Sequence, residues 1–182
     1  MHQVLWSETQ LPLEMVSLIE KELSKYDEQQ EPGKVSDYAN ANKNIRDSSI
    51  YWLNENNWVC GFLMHYVNIH NRDNYGYDLD GLDSNVIQYS RYGPGGFYTW
   101  HTDVSTTQQP LRKLSFTLQL SDPSEYEGGE LQFIDNNRNS FFAPKDLGTL
   151  ITFKSDMLHR VRPVKSGVRK SIVGWLCGPP WK

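Results

Sequence analysis

The stretch Tyr92-Gly-Pro-Gly-Gly-Phe-Tyr-Thr-Trp-His101-Thr-Asp103 decides how the rest of this chain is organised. A glycine-rich turn leads into a short aromatic segment that ends in a histidine and a carboxylate two residues apart. Residues i and i+2 of an extended strand point to the same face. His101 and Asp103 can therefore present a nitrogen and an oxygen to one point, which predicts two ligands of a metal ion and leaves a third to be found.

The third ligand is sought among the other histidines. His2 lies at a terminus, and His65 and His70 fall in or near a segment with helical periodicity, so a surface or interfacial place is expected for them. His159 lies between two predicted strands in the same half of the chain as His101. Two imidazoles and one carboxylate on one face of a metal leave three adjacent positions open, an arrangement typical of non-haem iron(II) oxygenases.

A second feature follows His159 along the chain. Arg169 comes ten residues later, at the head of the last predicted strand, and Ser171 shares its face. A guanidinium binds a carboxylate through two parallel, charge-assisted hydrogen bonds. An arginine beside a hydroxyl in an aromatic pocket therefore predicts a carboxylate receptor. Taken alone, Arg169 would be read as a surface charge on a strand.

Two amphipathic helices precede a strand-rich region in the predicted fold. Apolar residues recur at three- and four-residue spacing from Met15 to Tyr26, with Pro12 in the first turn, and again from Trp58 to Ile69. About eight short strands follow residue 84. We expect a single α+β domain over residues 1–182, with helices and loops in 1–84 and a catalytic core in 85–178. The core is predicted to be a double-stranded β-helix, or jelly roll, with the N-terminal helices packed on one sheet.

Two segments keep alternative interpretations. Leu114, Phe116, Leu118 and Leu120 alternate with Ser115, Thr117 and Gln119, so the polar face of this strand either lines a cavity or faces solvent. The polar segment 27–47 is interpreted as a long loop with room for one short strand. It is either a functional lid or binding loop, or a plain connector.

Composition excludes several classes of function. The 182 residues carry a net charge of −4 with acids and bases dispersed, which predicts no nucleic-acid partner. No apolar run is long enough for a membrane span. The two cysteines, Cys60 and Cys177, form no motif, and no secretory leader is recognisable. A cytoplasmic location with no membrane association is expected.

The motifs resemble a known family. His101-x-Asp103, His159 and Arg169-x-Ser171 are similar to the signature of the iron(II)- and 2-oxoglutarate-dependent dioxygenases, and more closely to the prolyl 4-hydroxylase-like branch, which includes enzymes of prolyl/lysyl type. The similarity covers roughly residues 85–176 and includes Glu127-Gly-Gly-Glu-Leu131. The N-terminal half is less similar, with matches at Asn44-Ile-Arg-Asp-Ser48 and Trp52-Leu53. Arginine at 169 departs from the collagen-type enzymes, which place a lysine there.

The resemblance implies a set of roles. His101, Asp103 and His159 would hold Fe(II), with 2-oxoglutarate and O2 as cosubstrates and ascorbate in a supporting role. Arg169 and Ser171 would bind the far carboxylate of 2-oxoglutarate. Tyr92 and Tyr98 both match tyrosine positions of the family, and the sequence leaves open which one touches the cosubstrate. Ser115 and Gln119 are further candidates from the neighbouring strand.

The implied activity is hydroxylation of a C–H bond, with succinate and CO2 as co-products. The expected target is a prolyl residue in a protein or peptide, and the alternative is a free amino acid or another small molecule. A nucleic-acid demethylase is disfavoured by the acidic net charge and by Trp175, which stands where a second arginine would be expected. A catalytically silent binding module would need a broken ligand set, and here all three ligands are present.

Overall fold

Two β-sheets enclose a cavity, and two α-helices cover the outer face of the larger sheet. The structure is a computed structural model that describes residues 5–34, 42–104 and 111–180. The helices are α1 (Leu13–Leu23) and α2 (Trp58–His70). In chain order, the strands of the described residues are β1 (Ser7–Gln10), β2 (Glu31–Pro32), β3 (Arg46–Asp47), β4 (Ser49–Asn54), β5 (Gly81–Leu82), β6 (Val86–Tyr92), β7 (Phe97–His101), β8 (Leu111–Gln119), β9 (Glu127–Gly128), β10 (Leu131–Ile134), β11 (Ser140–Phe142), β12 (Thr149–Lys154), β13 (Leu158–Val161), β14 (Val164–Ser166) and β15 (Arg169–Gly178).

The strand order brings distant parts of the chain together. The larger sheet runs β1-β12-β8-β15-β6-β4-β2, with β5 paired to β15, and the smaller sheet runs β11-β10-β13-β7-β3. Strands β9 and β14 form a separate pair. The predicted mixture of two helices with a predominantly β remainder is confirmed, and both helices lie on one sheet. The assignment of the two sheets to a double-stranded β-helix stays a prediction.

The two helices bury narrower faces than their periodicity predicts. Val16, Ile19 and Leu23 form the buried stripe of α1, whereas Leu18, which we expected in that stripe, is 52% exposed. Neighbouring residues on a helix lie about 100° apart, and Leu18 falls outside the stripe that is centred on Val16, Ile19 and Leu23. Pro12 precedes the first turn instead of belonging to it. Trp58 begins α2 and is likewise largely exposed.

The main core lies between these helices and the outer face of the larger sheet. Leu114, Phe116 and Leu118 of β8 are completely buried there, against helix residues such as Val59 and Leu63. In a close-packed interior of this kind, any change of side-chain volume alters the packing and the stability. The apolar half of the β8 alternation therefore holds the helical layer.

The first 84 residues contain five strands. Of these, β1, β4 and β5 were not predicted, and β2 and β3 lie in segment 27–47, for which one short strand was considered. Among them, β1 and β4 extend the larger sheet, and β3 closes one edge of the smaller sheet. Short, polar strands such as Ser7–Gln10 carry little periodic signal, because neighbouring strands rather than an alternating pattern hold them. Within segment 27–47 the structure has a 3₁₀ turn (Ser24–Gln29), β2 and β3; residues 35–41 lie outside the described part, so neither interpretation of this segment is tested.

Both cysteines are buried and carry free thiols. Burial raises the pKa of Cys60 and of Cys177 to about 11. Among the described residues, neither helix combines the length and the apolar character that crossing a membrane requires.

Candidate active site

Adjacent strands of the smaller sheet bring the three predicted metal ligands together. β13 pairs with β7 so that His159 stands opposite His101, and Asp103 follows two residues beyond the end of β7. Asp103 Oδ1 lies 3.7 Å from His101 Nε2, and Asp103 Oδ2 lies 3.6 Å from His159 Nε2. One ligand atom from each residue lies within 4.8 Å of the others. These three side chains can therefore reach a single ion.

Hydrogen bonds fix the orientation of both imidazoles. His101 Nδ1 lies 2.8 Å from the Thr99 carbonyl oxygen, and His159 Nδ1 lies 2.8 Å from the Met157 carbonyl oxygen. A carbonyl only accepts, so each Nδ1 carries the proton and each Nε2 offers a lone pair. Burial, followed by the neighbouring His159, lowers the pKa of His101 to about 4. The histidines are thus set in the tautomer that binds metal.

A chain of hydroxyl groups supports the carboxylate. Ser115 Oγ donates to Asp103 Oδ2 at 2.7 Å and lies 2.9 Å from Ser155 Oγ, and both serines are completely buried. Burial would raise the pKa of Asp103, but the two histidines and the Ser115 hydroxyl outweigh it and hold that pKa below its usual range. The Asp103 carboxylate is therefore ionised and held beside the Nε2 atoms of the two histidines. Ser115 was a candidate for the cosubstrate in the sequence analysis, and its contact is instead with a predicted metal ligand.

Arg169 lies in the same cavity and is 2% exposed. Its Nη1 donates to Ser171 Oγ at 3.2 Å, and its Nη2 donates to Gln119 Oε1 at 3.0 Å. No Asp or Glu of the described residues pairs with it. Gly129, at φ +64°, packs on its stem, since a Cβ there would lie 3.0 Å from Arg169 Cδ. A buried guanidinium without a counter-ion is a strong anion site.

The two candidate tyrosines occupy different places. The Tyr92 ring lies 5.5 Å from the Arg169 guanidinium carbon, in the register where β6 and β15 pair these two residues. The Tyr98 ring instead stacks on His101, with ring centroids 3.6 Å apart. Tyr92 therefore belongs with the arginine and Tyr98 with the metal ligands.

The cavity lies between the two sheets and is partly open to solvent. In the described part of the chain, four buried polar atoms have no hydrogen-bond partner, and three of them belong to cavity residues: Arg46 Nη2, Thr117 Oγ1 and Trp175 Nε1. Unpaired buried polar groups are costly, so their concentration in one cavity indicates that a polar ligand belongs there. Sequence reasoning assigned no role in the site to Arg46 or Gln88. Arg46 lies in the weakly similar stretch 44–48, and the pairing of β3 with β7 that brings it near His101 was not predicted.

The remaining histidines take no part. His70 is buried, with Nε2 at 2.7 Å from Thr9 Oγ1 and Nδ1 at 2.8 Å from Thr152 Oγ1, so it joins α2 to β1 and β12. His65 is exposed and packs edge-on against Tyr66. His2 lies outside the described residues. These placements agree with the interfacial and surface positions expected for His70 and His65.

The donor set suits iron. Two neutral imidazole nitrogens and one carboxylate on one side of a point are the protein ligands of non-haem iron(II) oxygenases, and the cavity leaves the other side open. The hydrogen-bonded Nδ1 atoms and the serine-supported carboxylate supply the outer contacts that such ligands require.

Comparisons with known proteins agree with this geometry. The family model described as the 2OG-Fe(II) oxygenase superfamily matches residues 87–177, which is half of the chain. A PKHD-type hydroxylase from Picosynechococcus sp. is 42% identical over 92 residues, which are 50% of this chain and 41% of the relative. The chain thus spans about two fifths of the length of the curated relatives it matches.

Solved structures share the fold over nearly the whole chain. A Pseudomonas putida prolyl-4-hydroxylase superposes with a TM-score of 0.78 at 22% identity, covering 94% of this chain and 92% of that one. A Trichoplax adhaerens prolyl hydroxylase, solved with a peptide fragment of the hypoxia inducible factor oxygen degradation domain, gives 0.77 at 17% identity and covers 94% and 83%. The matched segment contains the ligand triad and the buried arginine. The chain therefore belongs to the 2OG-Fe(II) oxygenase superfamily, whose members use Fe(II), 2-oxoglutarate and O2.

Proposed function

We propose that this protein is an Fe(II)- and 2-oxoglutarate-dependent dioxygenase that hydroxylates a C–H bond of a prolyl residue in a protein or peptide. One observation carries the proposal: the three ligand atoms of His101, Asp103 and His159 converge in a cavity that also holds the Arg169 guanidinium, which has no carboxylate partner among the described residues. The same proposal includes a single jelly-roll domain, because the cavity needs residues from both sheets.

The metal would be held by His101 Nε2, His159 Nε2 and one Asp103 oxygen. Their hydrogen bonds keep these atoms aimed at one point before any ion arrives. Iron, 2-oxoglutarate and O2 would supply the chemistry that hydroxylates an unactivated C–H bond: one oxygen atom of O2 enters the product hydroxyl and the other enters succinate, with loss of CO2. The chain positions these groups in the cavity between the two sheets.

Arg169 would bind the far carboxylate of 2-oxoglutarate. Its guanidinium is preoriented by Ser171 and Gln119, so little side-chain freedom is lost on binding. Tyr92 lies on the same side and is the tyrosine we assign to this end of the cosubstrate. Tyr98 packs on a metal ligand and is assigned to holding the His101 ring in place.

The choice of a prolyl target is supported by the fold. The Trichoplax neighbour was solved with a peptide bound, and the Pseudomonas neighbour is a prolyl-4-hydroxylase. The buried Trp175 lines the cavity, and its ring centroid is 6.1 Å from that of the half-exposed Trp52 outside the cavity lining. An aromatic lining surface suits a pyrrolidine ring. A free amino acid or another small molecule is the alternative substrate.

The test is conversion of 2-oxoglutarate to succinate in the presence of Fe(II), ascorbate and air. Proline-containing peptides, free proline and methylated DNA oligomers are added in turn. We expect wild-type turnover to be stimulated by the peptides, and Asp103→Ala to abolish both turnover and iron binding. Asp156→Ala is the matched control, since this nearby carboxylate is exposed. Absence of succinate under every condition, together with absence of iron binding, would overturn the proposal.

A further inference from the structure

A second arginine in the cavity is not used by the proposed cofactor roles. Arg46 of β3 is 5% exposed and lines the same cavity as the metal ligands. Its Nε donates to Ser48 Oγ at 2.7 Å, and its Nη1 lies 3.4 Å from Gln88 Oε1. Its Nη2 has no hydrogen-bond partner at all among the described residues. A donor on a buried cation is therefore left for a ligand.

Arg46 lies close to the reaction centre. Its guanidinium carbon is 4.9 Å from the centroid of the Tyr98 ring, and that ring stacks on His101. Only one aromatic ring thus separates the cation from a metal ligand. On another side the guanidinium is closed in by Gly33, where a Cβ would lie 2.7 Å from Arg46 Nε. These contacts limit how far the guanidinium can turn away from the cavity.

The charges in the cavity do not balance without a further anion. Its charged lining residues are Arg46, Arg169 and Asp103, which sum to one positive charge when the ligating histidines are neutral. A divalent metal adds two positive charges, and 2-oxoglutarate removes two. No Asp or Glu in the described part of the chain pairs with either arginine. An isolated buried charge is expensive, so the remaining positive charge calls for a negative group on the other substrate.

We propose that Arg46 binds a carboxylate of the hydroxylated substrate, so that the substrate carries this group close to the C–H bond that reacts. The inference rests on the proposed function and narrows its substrate class. The carboxylate has two sources: the free α-carboxylate of an amino acid, or an acidic side chain next to the target residue in a peptide. Both would use the same guanidinium through charge-assisted hydrogen bonds.

The direct test measures the NMR resonance of the Arg46 side chain in the wild-type protein. Isotope-labelled protein is loaded with Zn(II) and N-oxalylglycine, which occupy the metal and 2-oxoglutarate sites, and the Arg46 Nε–H resonance is followed by NMR during titration with acetate. We expect a saturable shift with acetate and none with acetamide, its neutral isostere. Equal responses to both probes, or no saturable response to acetate, would overturn the proposal.

Matched substrate pairs then identify the source of the carboxylate. L-proline is compared with L-prolinamide, and acetyl-Asp-Pro-amide with acetyl-Asn-Pro-amide, by calorimetry on the same loaded protein. We expect one pair to show a preference of more than about tenfold for its carboxylate member, and Arg46→Gln to remove it. Arg160→Gln is the control, because Arg160 stacks on Trp100 and bonds Gln132 outside this cavity. A preference that persists in Arg46→Gln, with the fold intact by circular dichroism, would overturn the assignment.

This outcome is separable from that of the proposed function. Iron-dependent succinate formation with no effect of acetate on Arg46 would refute only the carboxylate site. Failure to bind metal and N-oxalylglycine would refute both.

Discussion

On one face of β8, Leu114, Phe116 and Leu118 are completely buried beneath the helices, whereas on the other face three polar side chains contact or line the site. Ser115 donates to Asp103, Thr117 lines the cavity with an unpaired hydroxyl, and Gln119 accepts from Arg169. On the outer face, the protein itself covers the apolar side chains. The inner face is complete only when ligands are bound, so one strand separates the part that stabilises the fold from the part that performs chemistry.

Truncation on the outer face should have the largest effect on stability. Phe116→Ala removes a fully buried ring from the main core, and a change of this kind lowers the free energy of unfolding by about 3–5 kcal/mol. Urea denaturation monitored by tryptophan fluorescence measures the loss. A decrease below about 1 kcal/mol would contradict close packing between β8 and the helices.

On the inner side, Arg169→Leu should weaken cosubstrate binding instead of the fold. Loss of a buried charged partner costs about 2–5 kcal/mol of binding free energy, so the KM for 2-oxoglutarate should rise on the order of 100-fold while metal affinity is retained. Lys170→Met is the matched control, since Lys170 is the next residue on β15 and pairs with Glu20 in the outer layer. An unchanged KM in Arg169→Leu would remove this residue from the site.

Thr117→Val tests whether the inner face is truly unsatisfied. The substitution keeps the shape and removes a hydroxyl that has no partner, so the free energy of unfolding of the ligand-free protein should stay level or rise by about 1 kcal/mol. Affinity for 2-oxoglutarate should fall at the same time. A clear loss of stability would mean that the hydroxyl is already paired within the protein.

The smallest effect is expected from His70 in the outer layer. Burial lowers the pKa of His70, while Asp73 partly opposes this. In the unfolded chain His70 takes up a proton near pH 6.5, whereas in the folded chain it does so only at lower pH. His70 therefore contributes to the free energy of unfolding above pH 6.5, and this contribution is lost as the pH falls below about 6.5. The difference in unfolding free energy between wild type and His70→Gln should therefore shrink on acidification. A difference independent of pH would show that His70 has the same pKa in the folded and unfolded states.

The same contrast explains what could be predicted from the sequence. His101, Asp103, His159 and Arg169 lie at fixed spacings on strands with strong patterns, so local rules bring out their shared faces. The order of strands in the sheets, which puts β3 beside β7 and carries Arg46 into the cavity, depends on pairing between segments far apart in sequence. Short polar strands have no periodic signature of their own, and so that arginine could not be found from the pattern of residues.

The alternation in β8 shows a related limit. It predicted two faces but left open whether the polar one met solvent or a cavity, because a strand contains no information about what covers it. Leu18 shows the same on α1, where an apolar residue at a helical spacing remained exposed. Patterns fix the geometry of an element, and the neighbouring elements decide the environment of each side.

The carbonyl contacts of the two ligating histidines also determine when their side chains become ordered. Each imidazole is tethered to the backbone of its own segment, at Thr99 and at Met157, so its rotamer is selected as the sheet forms. The entropy of ordering the ligands is then lost during folding, and ion capture need not supply it. This makes the site unlike a zinc finger, in which metal binding and folding are one event. Chelation should leave a folded scaffold that takes up metal again without refolding.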